Sequence, residues 1–217
     1  MPNQSPTFQE LRAIAAYAYN GDLPEGGTLN PLPPGWLSGL TPNYTTTKLL
    51  EQAGVTKVAL NRLSLQVESA YNPWTNATVL TVSGTNPHDP EDLALDYDIM
   101  TNQYTQKSME KILTISRITD AASNLATADH YQYYETGHSS AATVLFMDAA
   151  VKGYRVVGWD SPGIRKELSQ VEAIYGQAID SANFGNIINV VRAGSLISNS
   201  PLTNDHVGQV ITVPHLY

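Results

Sequence analysis

Near the start of the chain, Phe8, Leu11, Ala15 and Ala18 recur at helical spacing. Ser5-Pro6 and Thr7-x-x-Glu10 stand before them as a cap, a first-turn proline and a capping box, and Gly21 closes the pattern. From 21 to 47 the periodicity dissolves into Gly26-Gly27 and prolines at 24, 31, 33, 34 and 42, which predicts loop. Leu63, Leu65 and Val67 then alternate with polar residues, as in a half-buried strand. Asn72-Pro73 marks a turn, and Ala77–Val82 reads as a second, more buried strand paired with the first as a hairpin.

Beyond Gly84 the stretch Asn86–Asp92 is polar and rich in breakers, predicting a loop. A helix is expected over Tyr104–Ile118, with Met109, Ile112, Leu113 and Ser116 on one side. Tyr131–Thr136 reads as a short strand running straight into Gly137-His138-Ser139-Ser140-Ala141, and an alanine-rich helix follows to about Val151. Arg155–Trp159 and Ile187–Val191 are strand-like, with a helix expected over Arg165–Asp180 between them. Strands alternating with helices predict an α/β fold: a mixed, mostly parallel sheet flanked by helices, with an N-terminal helix and an antiparallel opening hairpin at one edge. One domain over 1–217 accounts for the chain.

Composition narrows the function more than the fold. With 217 residues, 42% hydrophobic and 15% charged, the chain is ordinary globular protein and needs no staple. A net charge of −8 argues against nucleic-acid binding, and the lack of any polybasic run argues against docking on anionic lipid. The cysteine count of 0 removes disulfides, thiol nucleophiles and cysteine-held metals. No apolar stretch approaches the ~18 residues of a membrane span. The polar N-terminus, Met1–Thr7, does not read as a secretory signal, leaving cytosolic location, non-classical export and a fragment of a longer chain all open. The oligomeric state is not encoded legibly.

The stretch carrying chemistry is Gly137-His138-Ser139-Ser140-Ala141, a G-x-S-x-G nucleophile elbow with alanine in the last place. Such a turn between strand and helix exposes a strained serine, and small flanking residues let the two elements approach. The helix N-terminus behind it offers free N–H groups to a developing oxyanion. A plain serine helix cap is the bland alternative. His138, adjacent to the serine, cannot fold back into line as its base.

At this point the sequence resembles the class 3 (fungal-type) lipases, particularly bacterial members, from the first helix to residue 213. Val82-Ser83-Gly84-Thr85 is similar to the family's strand ending in R-G-T, with Ser83 for arginine. Asp92-Leu93-Ala94-Leu95-Asp96 resembles D-W-x-x-D, with Leu93 for tryptophan. Thr136-Gly137-His138-Ser139-Ser140-Ala141 corresponds to T-G-H-S-L-G, and Trp159-Asp160-Ser161-Pro162-Gly163 to F-x-x-P-G. Asn189-Val190-Val191-Arg192-Ala193-Gly194 precedes the position of the family acid, and His206-Val207-Gly208 matches H-x-G. The order and spacing of these matches carry the resemblance.

The resemblance implies Ser139 as nucleophile, His206 as general base, and the backbone N–H groups of Ser140 and Thr85 as oxyanion hole, with no cofactor. It breaks at the acid, whose place is taken by Ser195. A serine can bond an imidazole but cannot stabilise the imidazolium. Asp160, directly after the Arg155–Trp159 strand, is the expected substitute, because some other α/β hydrolases carry their acid there. Its alternative role is a turn residue in Asp-Ser-Pro-Gly. Asp205 is disfavoured because side chains of neighbours in an extended loop point apart, and Asp180 is expected at a helix end in solvent. His88, His130 and His215 read as loop or surface residues. No histidine pair has ligand spacing, so no catalytic metal is expected. Asp89, Glu91, Asp92, Asp96 and Asp98 read as an exposed acidic loop.

The expected activity is therefore hydrolysis of carboxylic esters, with acyl-ester or lipid substrates, through an acyl-enzyme on Ser139. A short polar loop at Asn86–Asp92, with no amphipathic helix, predicts weak interfacial activation and a preference for short or dispersed esters. A thioesterase or acyltransferase would use the same residues. The contrasting expectation is a non-catalytic binding or structural relative that has lost the acid.

Overall fold

A computed structural model of the chain describes residues 4–22, 28–84, 90–195 and 205–214. Seven strands follow chain order in one mixed, mostly parallel sheet, β1-β2-β3-β4-β5-β6-β7, with flanking helices. This is an α/β-hydrolase-like arrangement. The residues group into two compact units, Met1–Ser83 with Ser116–Thr136, and Gly84–Ile115 with Gly137–Tyr217.

In the first unit, α1 (Phe8–Tyr17) begins at the anticipated capping box. Thr7 Oγ1 accepts from the Glu10 N–H, and Glu10 accepts from the Thr7 N–H at 2.8 Å. Glu10 also accepts from the Trp36 indole at 2.9 Å, tying the helix start to the following loop. Leu11, Ile14 and Ala15 form the buried face. After β1 (Leu37–Ser38) come α2 (Thr46–Gln52) and α3 (Lys57–Arg62), capped by Thr45 and Thr56. The expected strand at Leu63–Val67 is corrected here. Leu63 is the C-cap of α3, and Leu60 and Leu63, three apart, are both buried. What looked like strand alternation is the last turn of a helix followed by a connection through Ser64, whose φ is 49°. Strand β2 starts only at Val67 (Val67–Asn72) and pairs antiparallel with β3 (Ala77–Val82), Val67 opposite Val82 and Asn72 opposite Ala77. Asn72 Oδ1 accepts the Trp74 and Thr75 N–H groups, closing the predicted hairpin turn with a side-chain mimic of a backbone turn.

In the second unit, α4 (Pro90–Thr101) starts with proline in its first turn. The predicted loop therefore ends before Pro90, and the acidic run from there on is helical, not an exposed loop. Asp98 in that run is buried and accepts the Thr105 N–H at 2.8 Å. The next helix, α5 (Gln106–Ala128), belongs to both units and runs ten residues past the expected end. Its inward positions there are alanines, Ala122 and Ala126, both fully buried, which give little hydrophobic signal. Leu113 was expected to face inward and is 41% exposed; Ile112, Ile115 and Ile118 are the buried positions.

Strand β4 (Gln132–His138) leads directly into α6 (Ser139–Lys152), every residue of which is buried from Ser139 to Ala150. Strands β5 (Val156–Trp159), β6 (Ile187–Arg192) and β7 (Gln209–Val213) are parallel neighbours. Gly158 in β5 lets α6 close on the sheet, since a Cβ there would lie 2.3 Å from Phe146 Cζ. Between β5 and β6, α7 (Leu168–Tyr175) is shorter than the 165–180 expected, because Gly176 turns left-handed with φ 63° and stops it. Asp180, exposed, caps the following 3-10 turn at Ser181–Asn186 by accepting the Ala182 N–H.

Candidate active site

Of the six candidate residues, five lie among the described residues, all in the second unit; Thr85 lies outside the described residues. Ser139 stands at the junction of β4 and α6 with φ 56°, a left-handed backbone that serine rarely adopts. Holding it costs on the order of 1–3 kcal/mol, which the strand before and the buried helix after must over-determine. Small neighbours permit it: a Cβ on Gly137 would sit 3.2 Å from the Ala142 nitrogen and 3.2 Å from Leu145. Ser140, buried, follows in the first turn of α6. His138 is the residue preceding the helix, with extended backbone (φ −123°). Burial pushes its imidazole pKa down and Arg192 adds to that, while the Asp160 charge opposes both.

Asp160 also has a positive φ, 51°, and is 4% exposed. It is bracketed by the end of β6: its N–H donates to Val190 O at 2.8 Å, and its Oδ1 accepts the Arg192 N–H at 3.4 Å. Ser195, at the family's acid position, is buried after a turn at Gly194 and donates its N–H to Arg192 O at 3.0 Å.

His206 is held by residues from the segment after β5 and from β6. Its carbonyl accepts from Arg165 Nε (3.2 Å) and Nη2 (3.0 Å). The preceding Asp205 accepts the Lys166 N–H at 2.7 Å, and its carbonyl accepts the Arg165 N–H. Gly163 fits against this loop so closely that a Cβ would lie 2.3 Å from Asp205 C and 2.5 Å from His206 N. The imidazole Nδ1 lies 3.1 Å from Asn189 Nδ2. Asn189, in β6, is fully buried and pairs with the main chain of Ser161: Nδ2 donates to Ser161 O at 2.8 Å, and Oδ1 accepts the Ser161 N–H at 3.3 Å. Ser161 Oγ is in turn 2.8 Å from Thr143 Oγ1. Thr143 lies in α6 one turn beyond Ser139, so a buried hydrogen-bonded chain connects the helix of the serine to the ring of His206. A signal for Asn189 existed: it interrupts the apolar face formed by Ile187 and Val191, and an amide there must find partners.

Beside this loop lies a second polar group. Glu167 is 3% exposed, and its Oε2, Asp205 Oδ1 and the Tyr104 hydroxyl are buried without hydrogen-bond partners among the described residues. Burial, with Asp205 next in weight, pushes the Glu167 carboxyl up to about 7. Burial also raises Tyr104, helped by Glu167, Asp98 and Asp205. Among the described residues, no group of three or more potential ligands could hold a metal ion, and no helix is long and apolar enough to cross a membrane.

Ser139 thus takes a left-handed backbone between a strand and a fully buried helix, on a mixed sheet of α/β-hydrolase-like arrangement. No protein-family profile and no curated protein matches the chain in sequence. Among solved structures it is similar to the Lip2 lipase of Yarrowia lipolytica, at 14% identity over 95% of this chain and 77% of that one, with a TM-score of 0.48. The nonglycosylated form of the same lipase aligns at 11% identity over 96% and 79%, also with a TM-score of 0.48. At these identities the likeness says nothing of activity.

Proposed function

We propose that the chain is a serine ester hydrolase of the class 3 lipase type, acting through an acyl-enzyme on Ser139. The observation that carries this reading is the φ of 56° at Ser139, between β4 and α6. Ser139 is buried, and strain of that kind at a turn between strand and helix is what a nucleophile elbow stores. Ser139 Oγ attacks the acyl carbonyl, His206 takes the proton and returns it to the leaving alcohol, and water then cleaves the acyl-enzyme. The N–H groups of Ser140 and Thr85 donate to the oxyanion. Asp160 supplies a buried negative charge. Its hydrogen bond to the Arg192 N–H means that it would act by charge, since the Nδ1 of His206 faces Asn189. Short or dispersed esters are the proposed substrates. Transfer of the acyl group to another acceptor would use the same residues.

A second reading has the fold serving as a non-catalytic binding module. Ser195 at the acid position and an amide at His206 Nδ1 favour it. The two readings part on whether Ser139 is nucleophilic. Incubation with a fluorophosphonate, followed by intact mass, should give one adduct per chain that Ser139→Ala loses. A folded protein that takes up no adduct supports the binding module.

A further inference from the structure

The amide of Asn189 can face His206 in only one sense. Its two groups are matched against the main chain of Ser161, Oδ1 to the N–H and Nδ2 to the carbonyl. Exchanging them would set carbonyl against carbonyl and N–H against N–H in a fully buried pocket of the fold, so the partners assign the orientation. The second N–H of the amide then points at His206 Nδ1, 3.1 Å away. A nitrogen that receives a hydrogen bond is the bare nitrogen of a neutral imidazole, and the proton sits on Nε2.

We propose that Asn189 is the positioning residue of His206, fixing its ring and holding the resting imidazole as the Nε2–H tautomer. The inference rests on the serine-hydrolase reading for its consequence, not for its geometry. A base that takes the Ser139 proton on Nε2 must carry its own proton on Nδ1. In that tautomer Nδ1–H would meet the N–H of Asn189 head-on. The amide therefore restrains the base, and a carboxylate at 189 would release it by accepting Nδ1–H. Thr143 and Ser161 transmit the same constraint from α6, because the Ser161 main chain is what orients the amide.

The test uses the full chain labelled with nitrogen-15 at histidine, with the His206 signals assigned by their loss in His206→Gln. At a pH where imidazole is neutral, the nitrogen shifts should show His206 protonated on Nε2. Asn189→Asp should move the proton to Nδ1 and speed fluorophosphonate labelling of Ser139 by about 10²- to 10⁴-fold, the scale of a tautomer defect in a catalytic triad. Asn189→Ala removes the lock without placing a carboxylate under the Ser161 carbonyl. Its His206 shifts should move from a single tautomer toward an average of two, and this variant decides the matter if Asn189→Asp does not fold. A wild-type His206 protonated on Nδ1, or shifts unchanged in Asn189→Ala, overturns the proposal. The two readings fail separately. An Nε2–H ring that switches in the variant, with Ser139 never labelled, removes the hydrolase and leaves the tautomer assignment standing. A labelled Ser139 with Nδ1–H in the wild type does the reverse.

Discussion

Ser139 shows how much one backbone angle can say about chemistry. Its left-handed conformation is the observation on which the proposed nucleophile rests, and the small residues around it are visible in the sequence as Gly137 and Ala141. What surrounds His206 was less visible, because its partners come from β6 and from the segment after β5, 17 or 41 positions away in the chain. Gly163 tests that packing. Its missing Cβ leaves room for the backbone of Asp205 and His206, which cannot swing aside as a side chain would. Gly163→Ala should cost about 1–3 kcal/mol in urea unfolding. It should also slow fluorophosphonate labelling by displacing His206. Gly185→Ala, where a Cβ meets nothing within 4 Å, is the control and should change stability by less than about 0.5 kcal/mol.

Elements whose ends are written in local chemistry were legible, and those whose ends depend on partners were not. The capping box at Thr7 placed the start of α1, and Asn72-Pro73 placed the hairpin turn. Replacing the cap, Thr7→Ala, should lower unfolding free energy by about 1 kcal/mol at unchanged denaturant slope. A loss near zero would mean that Glu10 and Trp36 hold the helix start without it. In contrast, α5 continued unseen because alanines pack its inner face. Strand β7 has no clear pattern in the sequence because it is mostly exposed, with Val210 41% exposed, and among the described residues it pairs only with β6. Leu63 and Leu65 read as strand in the sequence because two residues at spacing 2 fit a strand and a helix end alike.

At the scale of the whole molecule, the charge of −8 conceals a carboxylate that the fold prefers neutral. Glu167 has its folded pKa raised from an ordinary 4.5 to about 7, first by burial and then by Asp205. Below the unfolded value both states are protonated and folding is not penalised. As pH rises from there the unfolded chain ionises first, so stability falls through the window up to about 7 and the penalty is complete above it. Glu167→Gln should therefore raise the midpoint of thermal unfolding above that window and leave it unchanged below. Equal midpoints across the whole range would show that Glu167 ionises freely in the folded protein.

The sequence by itself determined the alternation of strands and helices, the hairpin, and the serine turn, because each is encoded in residues a few positions apart. It also excluded thiol chemistry and pointed away from nucleic acid, since composition alone settles the donors and charges available. Only the tertiary structure decided what faces His206. An imidazole takes its tautomer from whichever group lies against Nδ1, and here that is an amide from β6 whose own orientation is set by the main chain of Ser161. Such a relation has no local pattern: it exists once parallel strands bring distant residues to the same edge and bury them together.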